Sequence, residues 1–455
     1  MISLSVAVVG HTNAGKTSLI RTLLRDVTFG EVADSAGTTR HVEGGALVID
    51  ASQQLALYDT PGLEDSSRLL EVLDSYFKEQ RVDGIERLQY FLEHITDHDD
   101  LQQEAKVLRT LLTNDLIFYV IDVRAPTLGK YRDELQILSY AAKPIIPVLN
   151  FIKGEQENTA RWVAQLARLN FHAYVGFDNV NFKFSDELKI YHKMQTLLAE
   201  KETLLSALIA QRQVQWQSLL TLAKQLMAEL IIECGALRYS VEDTQEACHS
   251  AMLMLQKKVR VAESACVKKL LALYQFRQQD LQESELSITQ GAWQLDLFSG
   301  ENIQEYGLEL GSLVAKGAGV GLAIDLAVGG ITLGAAALSG GIIGAVWSVK
   351  ARYYDEIHAK IKGERYICLD LQTLQVLYLR QLKLLHVLQQ RGHASLDKIE
   401  FQVGATPVSK SIAQQCAQYQ KTLHRYPQWS SLNAHSSNSH LAKRQKFKDK
   451  LVANI

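Results

Sequence analysis

Gly10-His11-Thr12-Asn13-Ala14-Gly15-Lys16-Thr17 is the stretch that decides the fold. It follows an apolar run at residues 5–9 and opens a helical pattern at 18–24. The spacing G-x-x-x-x-G-K-T between a strand and a helix suits one chemical task. Glycines let backbone N–H groups curl around phosphate oxygens, and the helix N-terminus adds its partial positive charge. Lys16 would neutralise the outer phosphates, and the Thr17 hydroxyl would ligate Mg²⁺. The apolar start, Met1 to Val9, has no basic segment before it and no small-residue cleavage site after it. It reads as a buried strand and not as a secretion signal.

Two further stretches support the loop. Asp59-Thr60-Pro61-Gly62 follows an apolar run at 55–58. An Asp at a strand end can hold Mg²⁺ through water, and the Gly62 amide can sense a γ-phosphate. Between the two motifs lies Gly37-Thr38-Thr39-Arg40, in a segment without helical or strand pattern. A Thr39 hydroxyl that joins the Mg²⁺ shell only when a γ-phosphate is present would make this segment a switch.

Together GHTNAGKT, AGTTR and DTPG resemble the Era/TrmE/EngA-type bacterial GTPases, over roughly the first 180 residues. The resemblance implies a cytoplasmic, Mg²⁺-dependent molecular switch that hydrolyses GTP to GDP slowly. It places Gly10, Asn13, Ala14, Gly15, Lys16, Thr17, Ser18 and Asn150 around the nucleotide, and Thr17, Thr39 and Asp59 around the metal. Lys16, Thr39 and Gly62 would act on the γ-phosphate, and Asn13 stands where many members help hold K⁺. Leu63 occupies the position at which Ras-like proteins carry a water-orienting Gln, so charge must be stabilised by K⁺ or a partner. One motif departs. Asn150-Phe151-Ile152-Lys153 replaces the family's N-K-x-D, and a lysine cannot accept the guanine N1 and N2 hydrogen bonds. Asp178 is the candidate substitute carboxylate.

Further apolar runs at 116–121, 144–149 and 173–175 alternate with helical patterns, the signature of a mostly parallel α/β sheet. A helical insert is expected at about 64–114, giving a P-loop domain over 1–185. Within the insert His94, Asp97 and His98 have metal-ligand spacing, but the continuing acidic run reads as a solvated helix face. Beyond 185 strands are expected to stop. Prolines are absent from 148 to 406, and Leu198, Leu205, Leu219 and Leu226 recur at multiples of seven, interrupted by Arg212. That pattern predicts long packed helices at 186–305.

Eleven of the 28 glycines lie in 307–344, within an expected apolar helical hairpin at 306–350. Small-xxx-small pairs there would let backbones approach closely, in a membrane or in a soluble helical core. Residues 351–434 read as a helical region, and 435–455 as a basic tail. The order of a GTPase module, helices, a glycine-rich hairpin, Arg391-Gly392-His393-Ala394 and Pro427-Gln428-Trp429-Ser430 resembles bacterial GTPases that carry an uncharacterised C-terminal domain. The partners this implies are GTP and, through 307–349, a membrane or membrane protein at the inner membrane face. RNA or ribosome attachment through the basic tail ranks lower. The alternatives are a nucleotide-dependent membrane-remodelling or tethering protein, and a nucleotide-binding scaffold with little hydrolysis.

Composition is consistent with a folded chain of this size. The 455 residues carry 48 Lys+Arg against 50 Asp+Glu, for a net charge of -2, with 47% hydrophobic residues. Neither disorder nor wholesale nucleic-acid binding suits those values. Five dispersed cysteines without metal spacing fit a reducing compartment.

Overall fold

The computed structural model describes residues 2–26, 29, 43–77, 82–275, 288–289, 292–293, 297–298, 322–325, 364–390, 410–434 and 440–455. They fall into two compact units, one of Met1–Trp216 with Gln389–Asp397, the other of Gln217–Leu388 with Lys398–Ile455.

The first unit is built on six strands: β1 (Ile2–Val9), β2 (Glu43–Val48), β3 (Gln53–Asp59), β4 (Leu116–Asp122), β5 (Ile145–Asn150) and β6 (Val175–Gly176). Their order is β2-β3-β1-β4-β5-β6, with β2 antiparallel to β3 and the other pairs parallel. Alternation explains the layering. Leu4, Val6 and Val8 enter one apolar core, and Ala7 and Val9 enter the other. Both faces are therefore covered. Helices α1 (Lys16–Leu24) and α7 (Phe184–Leu197) pack on the Val8 face. On the Val9 face lie α2 (Ser66–Tyr76), α3 (Gly84–Glu93), α4 (Gln102–Thr113), α5 (Gly129–Tyr140) and α6 (Gln156–Arg168). Asp65 and Asp83 accept hydrogen bonds from the first-turn amides of α2 and α3 and so fix where those helices begin.

Helix α8 spans Glu202–Gly235. Its Leu204, Leu205, Leu208 and Ile209 complete the Val8-face core, and Arg212, which interrupts the leucine stripe, is buried there. Arg212 Nε donates to Glu187 at 2.6 Å and Nη2 to the Leu23 carbonyl at 2.9 Å. The interruption is a buried ion pair.

The second unit is mainly helical, as expected, but strands do not stop at about 185. Strands β7 (Arg238–Glu242), β10 (Leu322–Asp325) and β11 (Glu364–Leu369) form an antiparallel sheet in the order β10-β11-β7. A two-stranded pair, β8 (Ile288–Thr289) and β9 (Ala292–Trp293), is also present. Of the glycine-rich stretch, only Leu322–Asp325 lies among the described residues, and it is extended where a helix is expected. The rest of the expected hairpin, like the Arg391–Ala394 motif, falls outside them. No helix among the described residues is long and apolar enough to cross a membrane.

Helices α9 (Gln245–Leu273), α10 (Leu371–Gln390), α11 (Lys410–Arg425) and α12 (Leu441–Asn454) surround that sheet. The last of these corrects the reading of the basic tail. Leu451 is fully buried, and Arg444 and Lys448 bond the carboxylates of Glu229 and Glu233 on α8. Burial pushes the Glu229 carboxyl up, but the hydrogen bonds from Arg444 and Lys448 outweigh it and hold it below its ordinary value. Two of the tail's cations are consumed inside the unit. All five cysteines are buried and outside any disulfide.

Candidate nucleotide-binding site

Parallel pairing brings the carboxyl ends of β1, β3, β4 and β5 to one edge, and the loops leaving them converge there. Val8 pairs with Asp59, Val9 with Tyr119, and Asp122 with Asn150. Register alone thus places the glycine loop beside Asp59 and within reach of Asn150.

The loop's backbone explains its residues. Gly10 has φ +149°, and a Cβ there would lie 2.4 Å from the Val120 carbonyl oxygen. Gly15 has φ +95°, and its Cβ would lie 2.3 Å from Asn150 Nδ2. Asn13, at φ 63°, takes the left-handed conformation that Asn tolerates better than most residues. Ala14 is buried, with its amide donating to the His11 carbonyl at 3.2 Å. Gly15 caps α1, so the amides of Lys16, Thr17 and Ser18 open the helix at the loop's mouth.

Lys16 is buried, and its Nζ donates to the carbonyls of Gly10 and His11, both at 3.1 Å. Burial lowers its pKa, while Asp59, Glu134 and Glu64 pull the other way. The Thr17 hydroxyl donates to Asp59 Oδ2. Asp59 is buried too, and its Oδ1 has no hydrogen-bond partner among the described residues. Burial pushes its carboxyl up to about 6, against the Thr17 hydrogen bond and the Lys16 charge. A hydroxyl beside an orphaned carboxylate oxygen is the hard-oxygen donor set that Mg²⁺ favours, so these residues fit that ion. No group of three or more His, Cys, Asp or Glu that could hold a metal occurs among the described residues. His98 instead bonds the Tyr76 hydroxyl at 2.7 Å, and His94 stacks on Tyr90.

Asp59 therefore carries a testable cost. Its folded pKa lies above the unfolded 3.8, so the folded chain binds that proton more tightly. Stability falls as pH rises from about 4 to about 6, and the deficit is fully present above that. Asp59→Asn should stabilise the metal-free protein by about 1–3 kcal/mol at neutral pH, and should lose Mg²⁺-dependent stabilisation by nucleotide. Urea unfolding at pH 4.5 and pH 7.5 checks this, because the variant's advantage should shrink at the lower pH.

Gly62 packs against the loop: a Cβ there would lie 2.4 Å from Thr12 Oγ1 and 2.8 Å from the Thr12 amide nitrogen. Thr60 donates to the Val8 carbonyl at 2.9 Å. The Leu63 side chain is buried in the Val9-face core. Thr39 lies outside the described residues.

Asn150 is fully buried and binds loop to loop. Its Nδ2 donates to the Ala14 carbonyl at 3.0 Å, and its Oδ1 accepts from the Phe151 and Asn179 amides. Asn179, which the sequence reading did not single out, donates to the Gly15 carbonyl at 3.0 Å. Asp178 is buried, with its carboxylate turned onto the amides of Lys153, Val180 and Asn181. It organises its own loop. Lys153 Nζ bonds Asn181 Oδ1 at 3.0 Å, and the Arg124 guanidinium lies 3.8 Å over the Phe151 ring.

Sequence comparison agrees with this geometry. Residues 163–453 match the family model described as a domain of unknown function, DUF3482, which is more than half of the chain. The chain belongs to the DUF3482 family. In this DUF3482 chain, residues 5–151 also match the model described as 50S ribosome-binding GTPase, and the first unit is a P-loop GTPase domain. Among solved structures, a complex of Era with MgGDPNP and nucleotides 1506-1542 of 16S ribosomal RNA is 22% identical, with TM-score 0.29. That match covers 39% of this chain and 51% of the other, so the DUF3482 chain spans about half the length of that Era. Aquifex aeolicus Era bound to GDP and aluminium fluoride is 15% identical, covering 60% and 90%, with TM-score 0.28. The G domain of the T. maritima FeoB iron transporter is 22% identical, covering 43% and 100%, with TM-score 0.24. No curated protein matches the DUF3482 chain.

Proposed function

We propose that this protein is a slow, Mg²⁺-dependent GTPase switch whose nucleotide state acts on the DUF3482 part of the chain. One observation carries the reading: Lys16, the Thr17–Asp59 pair and Gly62 meet around a single glycine loop at the carboxyl edge of the sheet. Amides of residues 13–18 and the Lys16 ammonium would bind the β- and γ-phosphates. Thr17, Thr39 and Asp59 would hold Mg²⁺, which when bound offsets phosphate charge. The Gly62 amide would read the γ-phosphate, and loss of that phosphate would release Thr39 and its loop.

Slow turnover follows from Leu63. Its side chain is buried and apolar, so it cannot orient an attacking water. Asn13 is the candidate K⁺ ligand that supplies charge in its place. The same observation supports the second reading, a nucleotide-binding scaffold with little hydrolysis. A membrane or membrane-protein partner would act through 307–349. Arg444 and Lys448 are already paired, which weakens the RNA reading.

Base selectivity should be relaxed. Lys153 offers a donor, and the Asp178 carboxylate is turned onto three backbone amides, so neither of these residues would serve guanine N1 and N2. Displacement of a fluorescent GDP analogue by GTP, ITP and ATP, in KCl and in NaCl, tests the reading. The expected result is GTP and ITP within about fivefold of each other, with tighter triphosphate binding in K⁺. A GTP preference above about 100-fold over ITP would mean that an acceptor for the 2-amino group exists after all. Failure of all three nucleotides to displace would remove the switch reading.

A further inference from the structure

His11 fills the first unspecified position of the G-x-x-x-x-G-K-T run, and its ring ties that loop to the turn after Gly62 and to α5. Nδ1 is 3.2 Å from the Leu63 carbonyl, on the turn that follows Gly62. The same Nδ1 is 3.3 Å from Oε1 of Glu134 on α5. Nε2 is 2.8 Å from the ammonium of Lys130, at the start of α5. A lysine ammonium only donates, so Nε2 accepts and the ring proton sits on Nδ1. The ring also meets the edge of Tyr131, and its side chain lines a cavity of about 200 Å³ with Thr12, Asn13, Tyr119, Asp122 and Tyr131.

Glu134 is fully buried, a costly place for a carboxylate. Its Oε2 accepts from the Tyr119 hydroxyl at 2.6 Å, and its Oε1 has no hydrogen bond among the described residues. The Nδ1–H of His11 thus lies between two acceptors, the Leu63 carbonyl and Glu134 Oε1, and can serve only one well. Were the Leu63 carbonyl to withdraw, Glu134 Oε1 would be the remaining acceptor for that N–H, and the exchange would satisfy its orphaned oxygen. Just beyond the turn, the start of α2 is stitched to the same helix: Ser66 Oγ donates to the Lys130 carbonyl at 3.1 Å, and Ser67 Oγ to Asp133 at 2.6 Å.

We propose that His11 is a positioning residue for the triphosphate state, holding the Gly62–Leu63 turn through Nδ1–H, with Glu134 as the alternative acceptor when the turn lets go. This rests on the nucleotide-switch reading of the same site. Lys130 fixes the ring for either partner.

The test compares His11→Asn, His11→Gln and Glu134→Gln in the full chain, reading GDP affinity, the affinity ratio of a non-hydrolysable GTP analogue to GDP, and kcat. Asparagine places an amide donor where Nδ1 stands, whereas glutamine carries it out toward Nε2. His11→Asn should keep the ratio within about threefold of wild type. His11→Gln should lower the ratio and kcat by about tenfold, with GDP affinity within threefold. Glu134→Gln should move the ratio the other way, up severalfold, because an amide N–H facing Nδ1–H drives the ring proton to Leu63. A packing role would favour the larger Gln over Asn and lower GDP affinity equally. Equal ratios for the two His11 variants, or a fall of the ratio in Glu134→Gln, would overturn the proposal. A wild type that binds guanine nucleotides normally while the variants behave so isolates the failure to His11. A wild type that binds none removes the switch reading and this proposal with it.

Discussion

Lys16→Ala should weaken triphosphate binding by about 100-fold or more while leaving the protein folded. The ammonium is buried and donates to the carbonyls of Gly10 and His11, and a bound triphosphate would draw two of its three N–H groups from those carbonyls onto phosphate oxygens. Charge-assisted hydrogen bonds to phosphate contribute about 1.5–3 kcal/mol each, and losing two of them corresponds to a factor of roughly 10²–10⁴. The fold should tolerate the change, because burial already disfavours the charged form of this lysine. Titration with a fluorescent GTP analogue measures the first effect, and urea unfolding checks the second. Wild-type affinity in the variant would mean that the glycine loop is not where the phosphates bind.

Arg212→Ala should be among the most destabilising single changes in the first unit, by about 3–5 kcal/mol. Arg212 and Glu187 are both buried and paired at 2.6 Å, and the guanidinium also satisfies the Leu23 carbonyl at the end of α1. Removing it leaves a buried carboxylate with the Tyr191 hydroxyl and a longer, 3.5 Å contact to Arg25. Because Leu23 lies at the end of α1, the helix that Lys16 opens, the loss should also loosen the nucleotide loop. The double variant Glu187→Gln/Arg212→Met should recover most of the loss, since it removes both charges together. Urea midpoints of the two variants decide the matter. A loss below 1 kcal/mol for Arg212→Ala would make the pair ornamental.

Much of the first unit is legible because its signals are backbone signals. A G-x-x-x-x-G-K-T run needs positive φ and close approach at fixed positions, and Gly10 and Gly15 have both. Asp59 and Asn150 sit at strand ends, where parallel register delivers them to the loop. What could not be read depended on side chains that meet only after packing. Glu134 shares the α5 face of Tyr131, Leu135 and Leu138, and a lone carboxylate in an apolar helical stripe was the available sign. Nothing in the sequence said that its partners would be His11 and Tyr119. Arg212 was visible as a break in a leucine repeat, and only the fold supplies Glu187 as the reason.

In the second unit, β7 and β11 are short and pair with each other across a long stretch of sequence; β7 lies between α8 and α9 and β11 runs into α10, so periodicity over a helical window hid them. The basic run near the C-terminus shows the opposite error. Its charge suggested a free tail, but Phe447, Leu451, Val452 and Ile455 form an apolar face that holds it against the core. Asp178 was the natural stand-in for a missing carboxylate by position, yet three backbone amides claim it.

The most direct test of the whole account is phosphate release from GTP by the wild-type chain, with Mg²⁺ and with the metal chelated. The wild-type protein should show slow, sustained release that needs Mg²⁺ and disappears in Lys16→Ala. Mg²⁺-dependent binding of GTP without release would move the protein to the scaffold reading. Release that persists without Mg²⁺, or a wild type that neither binds nor cleaves GTP, would contradict the assignment of Lys16, Thr17 and Asp59 to a nucleotide site.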